Sequence, residues 1–112
     1  MALARLLASG CASTPPPTSD LALSDAAVAH AASAGAVEAA PADMRTAREK
    51  LDRANVAMLT KDYDTARMLA REAQVDALLA ERKAESAQAR KAAMAVQEDT
   101  RVLREEIERK RN

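Results

Sequence analysis

Alanine recurs at alternating steps of four and three residues through the second half of the chain, and this spacing constrains the fold most. Such spacing places the residues on one face of an α-helix, where small side chains let a second helix approach closely. The sequence therefore predicts a long helix packed along this alanine stripe. Its members are Ala66, Ala70, Ala73, Ala77, Ala80, Ala84 and Ala87.

A second helix with a matching apolar face is predicted over residues 42–60. Its larger apolar residues, Met44, Leu51 and Met58, alternate with Ala47 and Ala54 at three- and four-residue steps, and charged residues occupy the opposite face. The connection to the long helix, predicted over 63–110, is only a few residues, which favours an antiparallel hairpin. We expect this face to pack on the alanine stripe, chiefly on Ala66, Ala70, Ala73, Ala77 and Ala80.

The turns around these helices contain recognisable start and stop residues. Pro41 suits the first turn of the second helix, and Asp62 suits the N-cap of the long helix. A first helix is predicted over 21–34, with Ser24 or Asp25 at its N-terminal turn. Gly35 ends this helix, and residues 36–40 form a connector.

Composition supports a purely helical fold. The 112 residues include no Trp or Phe, one Tyr, two Gly and four Pro, and no segment alternates as a strand does. We predict an all-α fold in which a short first helix joins an antiparallel hairpin with a long, coiled-coil-like C-terminal helix. The helical domain covers residues 20–112.

The single cysteine lies near the start of the chain, in the segment LLASGC. Small residues Ser9 and Gly10 precede Cys11, which resembles the lipobox at the end of a bacterial lipoprotein signal peptide. Ala8 stands where leucine is more typical. Only ten residues precede Cys11, whereas secretory signals have about 15–30. We therefore interpret residues 1–10 as the remnant of a signal peptide.

Lipidation of Cys11 would anchor the chain to a membrane. In bacterial lipoproteins this thiol receives diacylglycerol and the new amino terminus is acylated, and two or more acyl chains anchor stably. Residues 11–19 contain Pro15, Pro16 and Pro17, so we expect an extended tether between the lipid and the helices. The alternative is a free thiol in a disordered start.

Longer segments carry a family resemblance. CASTPPP, AGAVEAAPADMRTAREKLDRANVAM and KDYDTARMLAREAQVDALLAERKAE are similar to bacterial lipoproteins of the domain of unknown function 4398 family, from Cys11 to about Ala89. The resemblance implies a periplasm-facing lipoprotein. Some relatives carry an OmpA-like peptidoglycan-binding domain after this region, but this sequence ends at Asn112 without one. Ala12 predicts the outer membrane, because aspartate after the cysteine is the usual inner-membrane retention signal.

The sequence lacks the patterns typical of catalysis or nucleic-acid binding. Seventeen basic and seventeen acidic residues balance and intersperse, so no basic face is available for nucleic acid. His30 is the only histidine, and no glycine-rich phosphate loop is present. We expect no enzyme activity, cofactor or small-molecule substrate.

Two functional interpretations follow from these patterns. The leading one is a membrane-anchored periplasmic lipoprotein that serves as a non-catalytic structural or adaptor module of the cell envelope. The alternative is a soluble cytosolic helical adaptor or an oligomerising coiled-coil protein.

The far end of the long helix has its own apolar pattern. The hairpin partner spans about 27 Å and the long helix about 72 Å, so nothing beyond the first half of the long helix can be covered by the partner. Beyond Ala87 the pattern changes phase and continues through Ala93, Val96, Thr100, Leu103 and Ile107. Either this end is a charged, solvated helix, or it pairs with a second copy or a protein partner through Val96, Leu103 and Ile107.

Overall fold

The computed structural model describes residues 14–112, which form four helices joined by short turns. These are α1 (Thr18–Ser33), α2 (Ala36–Ala39), α3 (Pro41–Leu59) and α4 (Tyr63–Arg111). No strand occurs between residues 14 and 112, and the predicted all-α fold with a long C-terminal helix is confirmed. Cys11 and the predicted signal-peptide remnant, residues 1–10, lie outside the described residues.

Helix α1 begins earlier than the sequence pattern predicts. Pro17 occupies the N-cap position, and its carbonyl accepts the Leu21 N–H at 3.0 Å. Thr18 and Ser19, assigned to the tether, are therefore helical. Ser24, a predicted capping residue, instead lies in the middle of α1 and is fully buried. It is too far along the helix to reach the unpaired N–H groups of the first turn.

The α1–α3 connection is more regular than predicted. Gly35 follows the helix as expected, with a φ of 87° and its N–H donating to the Ala32 carbonyl at 3.2 Å. The predicted connector 36–40 contains the single turn α2. Its first residue, Ala36, is fully buried, so the connection forms part of the core.

The turn between α3 and α4 is a Schellman motif. The Lys61 N–H donates to the Met58 carbonyl at 3.1 Å, and the Asp62 N–H donates to the Ala57 carbonyl at 2.9 Å. Lys61 has a φ of 59°, a left-handed conformation that favours glycine. Asp62 also caps α4 as predicted, because its carboxylate accepts the Thr65 N–H at 3.4 Å. Asp62 thus takes part both in the motif that ends α3 and in the N-cap of α4.

Helices α1 and α3 both pack against the first half of α4. Ion pairs fix their directions: Asp20 lies near Arg67 and His30 near Glu81, so α1 runs parallel to α4. Helix α3 runs antiparallel, with Asp43 near Lys83 and Lys50 near Asp76. The predicted hairpin is therefore extended by α1 into a three-helix bundle.

Helix α4 has two halves with different surroundings. The bundle half, residues 63–84, carries every buried residue of α4, and the bare half, residues 85–111, is exposed throughout. The whole helix has 49 residues and is about 73 Å long. The bare half accounts for about 40 Å of that length.

Candidate interaction surface

The inner surface of α4 is lined by alanine. Six alanines of the stripe are at most 1% exposed, and Leu69 is also buried beside them. Ala87 is exposed, because it lies beyond the bundle in a shallow depression beside Gly35 and Ala39. The six buried members are Ala66, Ala70, Ala73, Ala77, Ala80 and Ala84.

The facing surface of α3 contains two of the three larger residues that the sequence places there. Met44 and Leu51 are 1% and 8% exposed. Met58 is only half-buried, and Ala57 is buried instead. Met58 lies in the last turn of α3, opposite the beginning of α4. Little of α4 is available there to cover a long side chain.

Charged side chains join the helices at the rim of this core. The Lys50 ammonium lies 2.8 Å from Asp76 and 3.5 Å from Glu72. Its hydrogen bond to Asp76 raises the pKa of Lys50 above its ordinary value, and burial opposes this rise. His30 Nδ1 lies 3.1 Å from Glu81, with the imidazole largely exposed. These contacts are structural, and across residues 14–112 the acidic and histidine side chains form no cluster suited to a metal.

The outer surface of the bare half carries the larger apolar residues. Val96, Leu103 and Ile107 are 64%, 63% and 58% exposed. They share a face with Ala89, Ala93 and Thr100 because the steps between them alternate between three and four residues. We call this face the exposed stripe: Ala89, Ala93, Val96, Thr100, Leu103 and Ile107.

The same face continues into the bundle half, which the sequence analysis did not detect. Met68, Val75 and Leu79 are exposed by 52%, 66% and 46% and keep the seven-residue repeat of the exposed stripe. At about 100° per residue, this face lies about 150° around the helix from the alanine stripe. The sequence signal that could have revealed this face is a second pattern of three- and four-residue steps on the same helix. The alanine stripe masked it, because both patterns run through the same segment of the sequence.

Charges of opposite sign border the exposed stripe on its two sides. Acidic residues lie on one side and arginines on the other, and each acid precedes an arginine by five positions. Among the residues that the structure describes, Asp99, Arg104 and Arg111 form no ion pair within 4.0 Å, while Glu85 and Glu106 contact arginines of their own helix. The three sets are Glu85 with Arg90, Asp99 with Arg104, and Glu106 with Arg111.

The ion-pair network around Arg101 lies on a different face of α4. Arg101 contacts both Glu98 and Glu105, three and four positions away. Hydrogen bonding from Arg101 lowers the pKa of the Glu98 carboxyl below its ordinary value. This network stabilises the helix locally and leaves the exposed stripe uncovered.

Comparison with known proteins shows which family the chain belongs to. Residues 19–96 match the family described as "Domain of unknown function (DUF4398)". The chain belongs to the DUF4398 family. The DUF4398 region includes nearly all of the bundle and the bare half as far as Val96. Searches of curated proteins and of solved structures return no match.

From residue 14 to residue 112, none of the helices combines the length and the apolarity that crossing a bilayer requires. Helix α4 is long enough, but charged residues recur along its whole length.

Proposed function

We propose that this DUF4398 chain is a lipoprotein anchored through Cys11 in the bacterial outer membrane, facing the periplasm. In this proposal it serves the cell envelope as a non-catalytic structural or adaptor module. Support comes from the lipobox-like segment before Cys11, from the resemblance to lipoproteins of this family, and from the position of the proline segment on the bundle.

The observation that most supports this proposal is the contact between the proline segment and the start of α4. The guanidinium of Arg67 donates to the Pro15 carbonyl at 2.9 Å, and Pro17 is buried. Asp20 accepts a second hydrogen bond in the same region, from Arg71 at 3.2 Å. The segment that follows Cys11 in sequence is therefore attached to one end of the bundle.

Chain length then limits how far the lipid can lie from the bundle. Pro15 follows Cys11 by four residues, which span at most about 14 Å when fully extended. The proline-rich segment would thus provide a much shorter spacer than the predicted tether 11–19. The acylated cysteine would hold the beginning of α4 close to the membrane surface.

The direction of α4 places its bare half at the opposite end. From Arg67 to Arg111 the helix rises about 66 Å. A lipid at Cys11 would therefore leave the bare half directed away from the membrane, where other envelope components could contact it. This arrangement suits a structural or adaptor role, since the anchor would lie near the beginning of α4 and the bare half extends to its other end.

Metabolic labelling with a radioactive fatty acid tests the anchor. We expect label on the wild-type chain and none on Cys11→Ser, while the matched control Ser13→Ala keeps the label. A lipoprotein signal-peptidase inhibitor should cause a slower-migrating precursor to accumulate, and membrane fractionation should place the mature protein in the outer membrane. Unlabelled wild-type protein in the soluble fraction, with no precursor, would support the cytosolic adaptor instead.

A further inference from the structure

We infer that the exposed stripe binds the exposed stripe of a second copy of this chain, forming a parallel, in-register coiled coil. This self-association is a property of the bare half and is independent of the lipid anchor. In heptad terms, residues 86–110 supply three and a half repeats, near the minimum of about three to four for a recognisable coiled coil. Positions a are Ser86, Ala93, Thr100 and Ile107, and positions d are Ala89, Val96, Leu103 and Lys110.

The charges that border the stripe select a second copy as the partner. In a parallel coiled coil, a residue at g faces the e residue that lies five positions later in the partner. The acidic residues occupy g and the arginines occupy e, so every charged g–e contact between two copies is attractive. The remaining contact, Ala92 with Gln97, is uncharged. The attractive contacts are Glu85 with Arg90, Asp99 with Arg104, and Glu106 with Arg111.

The same charges disfavour the antiparallel arrangement. In that arrangement g faces g and e faces e, so acids would face acids and arginines would face arginines. Like charges that face each other are destabilising. Orientation is thus determined by the distribution of charge and not by the apolar residues, which would pack in either direction.

The fold leaves room for the second copy. Residues 85–112 are exposed, and the stripe faces about 150° away from the alanine stripe that α1 and α3 cover. In a parallel pair the two bundles would lie on the outer sides. Val75 and Leu79, 66% and 46% exposed on the same face, would continue the apolar contact toward the bundles.

The polar residues in the repeat predict a moderate affinity. Ser86 and Thr100 occupy a positions and Lys110 a d position, and each replaces a larger apolar contact. Ala89 and Ala93 bury little area but allow close approach. We therefore expect a reversible dimer in the micromolar range and not an obligate one.

Analytical ultracentrifugation of the full-length Cys11→Ser chain tests the pairing without lipid or disulfide. We expect a concentration-dependent dimer, and Leu103→Asp combined with Ile107→Asp should weaken it by about a hundredfold or more, as expected when central apolar contacts are lost. The matched control, Met94→Asp combined with Val102→Asp, changes exposed apolar residues of the same helix outside the stripe. It should leave the dimer intact.

Charge reversal tests the identity and register of the partner. Arg104→Glu should weaken dimerisation by about tenfold at low salt, because it opposes the partner's acid at two symmetric contacts. Adding Asp99→Arg should restore it. Residues five apart do not face each other on one helix, so such rescue arises only between copies.

Disulfide trapping tests the orientation. In the Cys11→Ser background, Ile107→Cys should form a covalent dimer under mild oxidation, whereas Val102→Cys, directed away from the stripe, should not. A strict monomer at the highest attainable concentration would overturn the inference, and so would failed rescue or equal trapping at both positions. All of these variants lack the lipid, so their failure would not affect the proposed anchor, and failed labelling would not affect the dimer.

Discussion

The two halves of α4 show that residue size, more than hydrophobicity, decides what this helix buries. In the bundle half, alanines are completely buried while Val75 and Leu79 remain exposed. In the bare half, larger aliphatic residues are about as exposed as these. Alanine buries little area per side chain, but it lets two helices approach α4 closely enough to bring backbones and short side chains into contact. The stability of the bundle therefore depends on how closely its helices pack.

The halves also differ in what stabilises their helical structure. The bundle half is supported by two neighbouring helices, whereas the bare half of a single copy relies on local ion pairs such as those of Arg101. Such pairs between exposed side chains contribute little to stability, because water and salt screen them. Unfolding of a single copy should therefore start in the bare half and reach the bundle last.

The largest expected effect comes from enlarging the buried alanines. Ala73→Leu or Ala77→Leu should lower the free energy of unfolding by about 1–3 kcal/mol, because the extra methylenes force the helices apart. The controls Ala92→Leu and Ala95→Leu in the bare half should change it by less than about 0.5 kcal/mol. Urea unfolding followed by circular dichroism measures both. Equal losses in the two halves would show that close packing does not distinguish them.

Removing a buried hydroxyl should raise the free energy of unfolding instead of lowering it. The Ser24 side chain is fully buried, and its hydroxyl has no hydrogen-bond partner within residues 14–112. Ser24→Ala should raise the free energy of unfolding by about 1 kcal/mol. Ser86→Ala, at an exposed position of the bare half, should leave bundle unfolding unchanged. A loss of stability in Ser24→Ala would indicate that the hydroxyl is bonded in solution.

A smaller gain in stability is expected from a substitution in the turn between α3 and α4. Lys61 holds a left-handed conformation that costs a non-glycine residue about 1 kcal/mol. Lys61→Gly should therefore stabilise the bundle by about 0.5–1 kcal/mol, after the greater chain entropy of glycine is subtracted. Lys91→Gly, in the middle of the bare half, should instead reduce helix content. Urea unfolding followed by circular dichroism tests both, and destabilisation by Lys61→Gly would mean that the lysine side chain stabilises the turn.

The smallest effect concerns the carboxylate of Glu98. Arg101 lowers the pKa of Glu98 below its ordinary value of 4.5, so the charged form is favoured in the folded helix. The stabilisation is therefore complete above pH 4.5 and is lost as the pH falls through the lowered pKa. Carbon NMR titration should show this lowered value, and Arg101→Gln should return it toward normal. Lys110→Gln should leave it unchanged, and an unshifted wild-type carboxyl would contradict the prediction.

The clarity of each apolar pattern determined how much of the fold the sequence predicted. Helices α3 and α4 have a single inner face, and their predicted ranges lie within one residue of Pro41–Leu59 and Tyr63–Arg111. In α1, alanine and other apolar residues surround the axis, so its docking parallel to α4 had no sequence signal. Its start at Thr18 depends on Pro17 being buried against the bundle, a tertiary contact.

The exposed face of α4 was predicted only in the bare half, where no second apolar pattern occurs. Val96, Leu103 and Ile107 stood out because no other pattern overlaps them, whereas Met68 and Val75 share their helix turns with the alanine stripe. The lipid anchor at Cys11 remains a sequence prediction, since that residue lies outside the described part of the chain.

The continuity of α4 makes residue number a measure of distance. Between Tyr63 and Arg111 the helix contains no glycine or proline, so its tip stands a fixed height above the Asp62 turn. An insertion of seven residues in the bare half would move the tip about 10.5 Å further along the helix axis and would leave its rotation about that axis nearly unchanged. An insertion of five would turn the tip by about 140°. Length variation in whole heptads could therefore change the reach of this protein while leaving the bundle untouched.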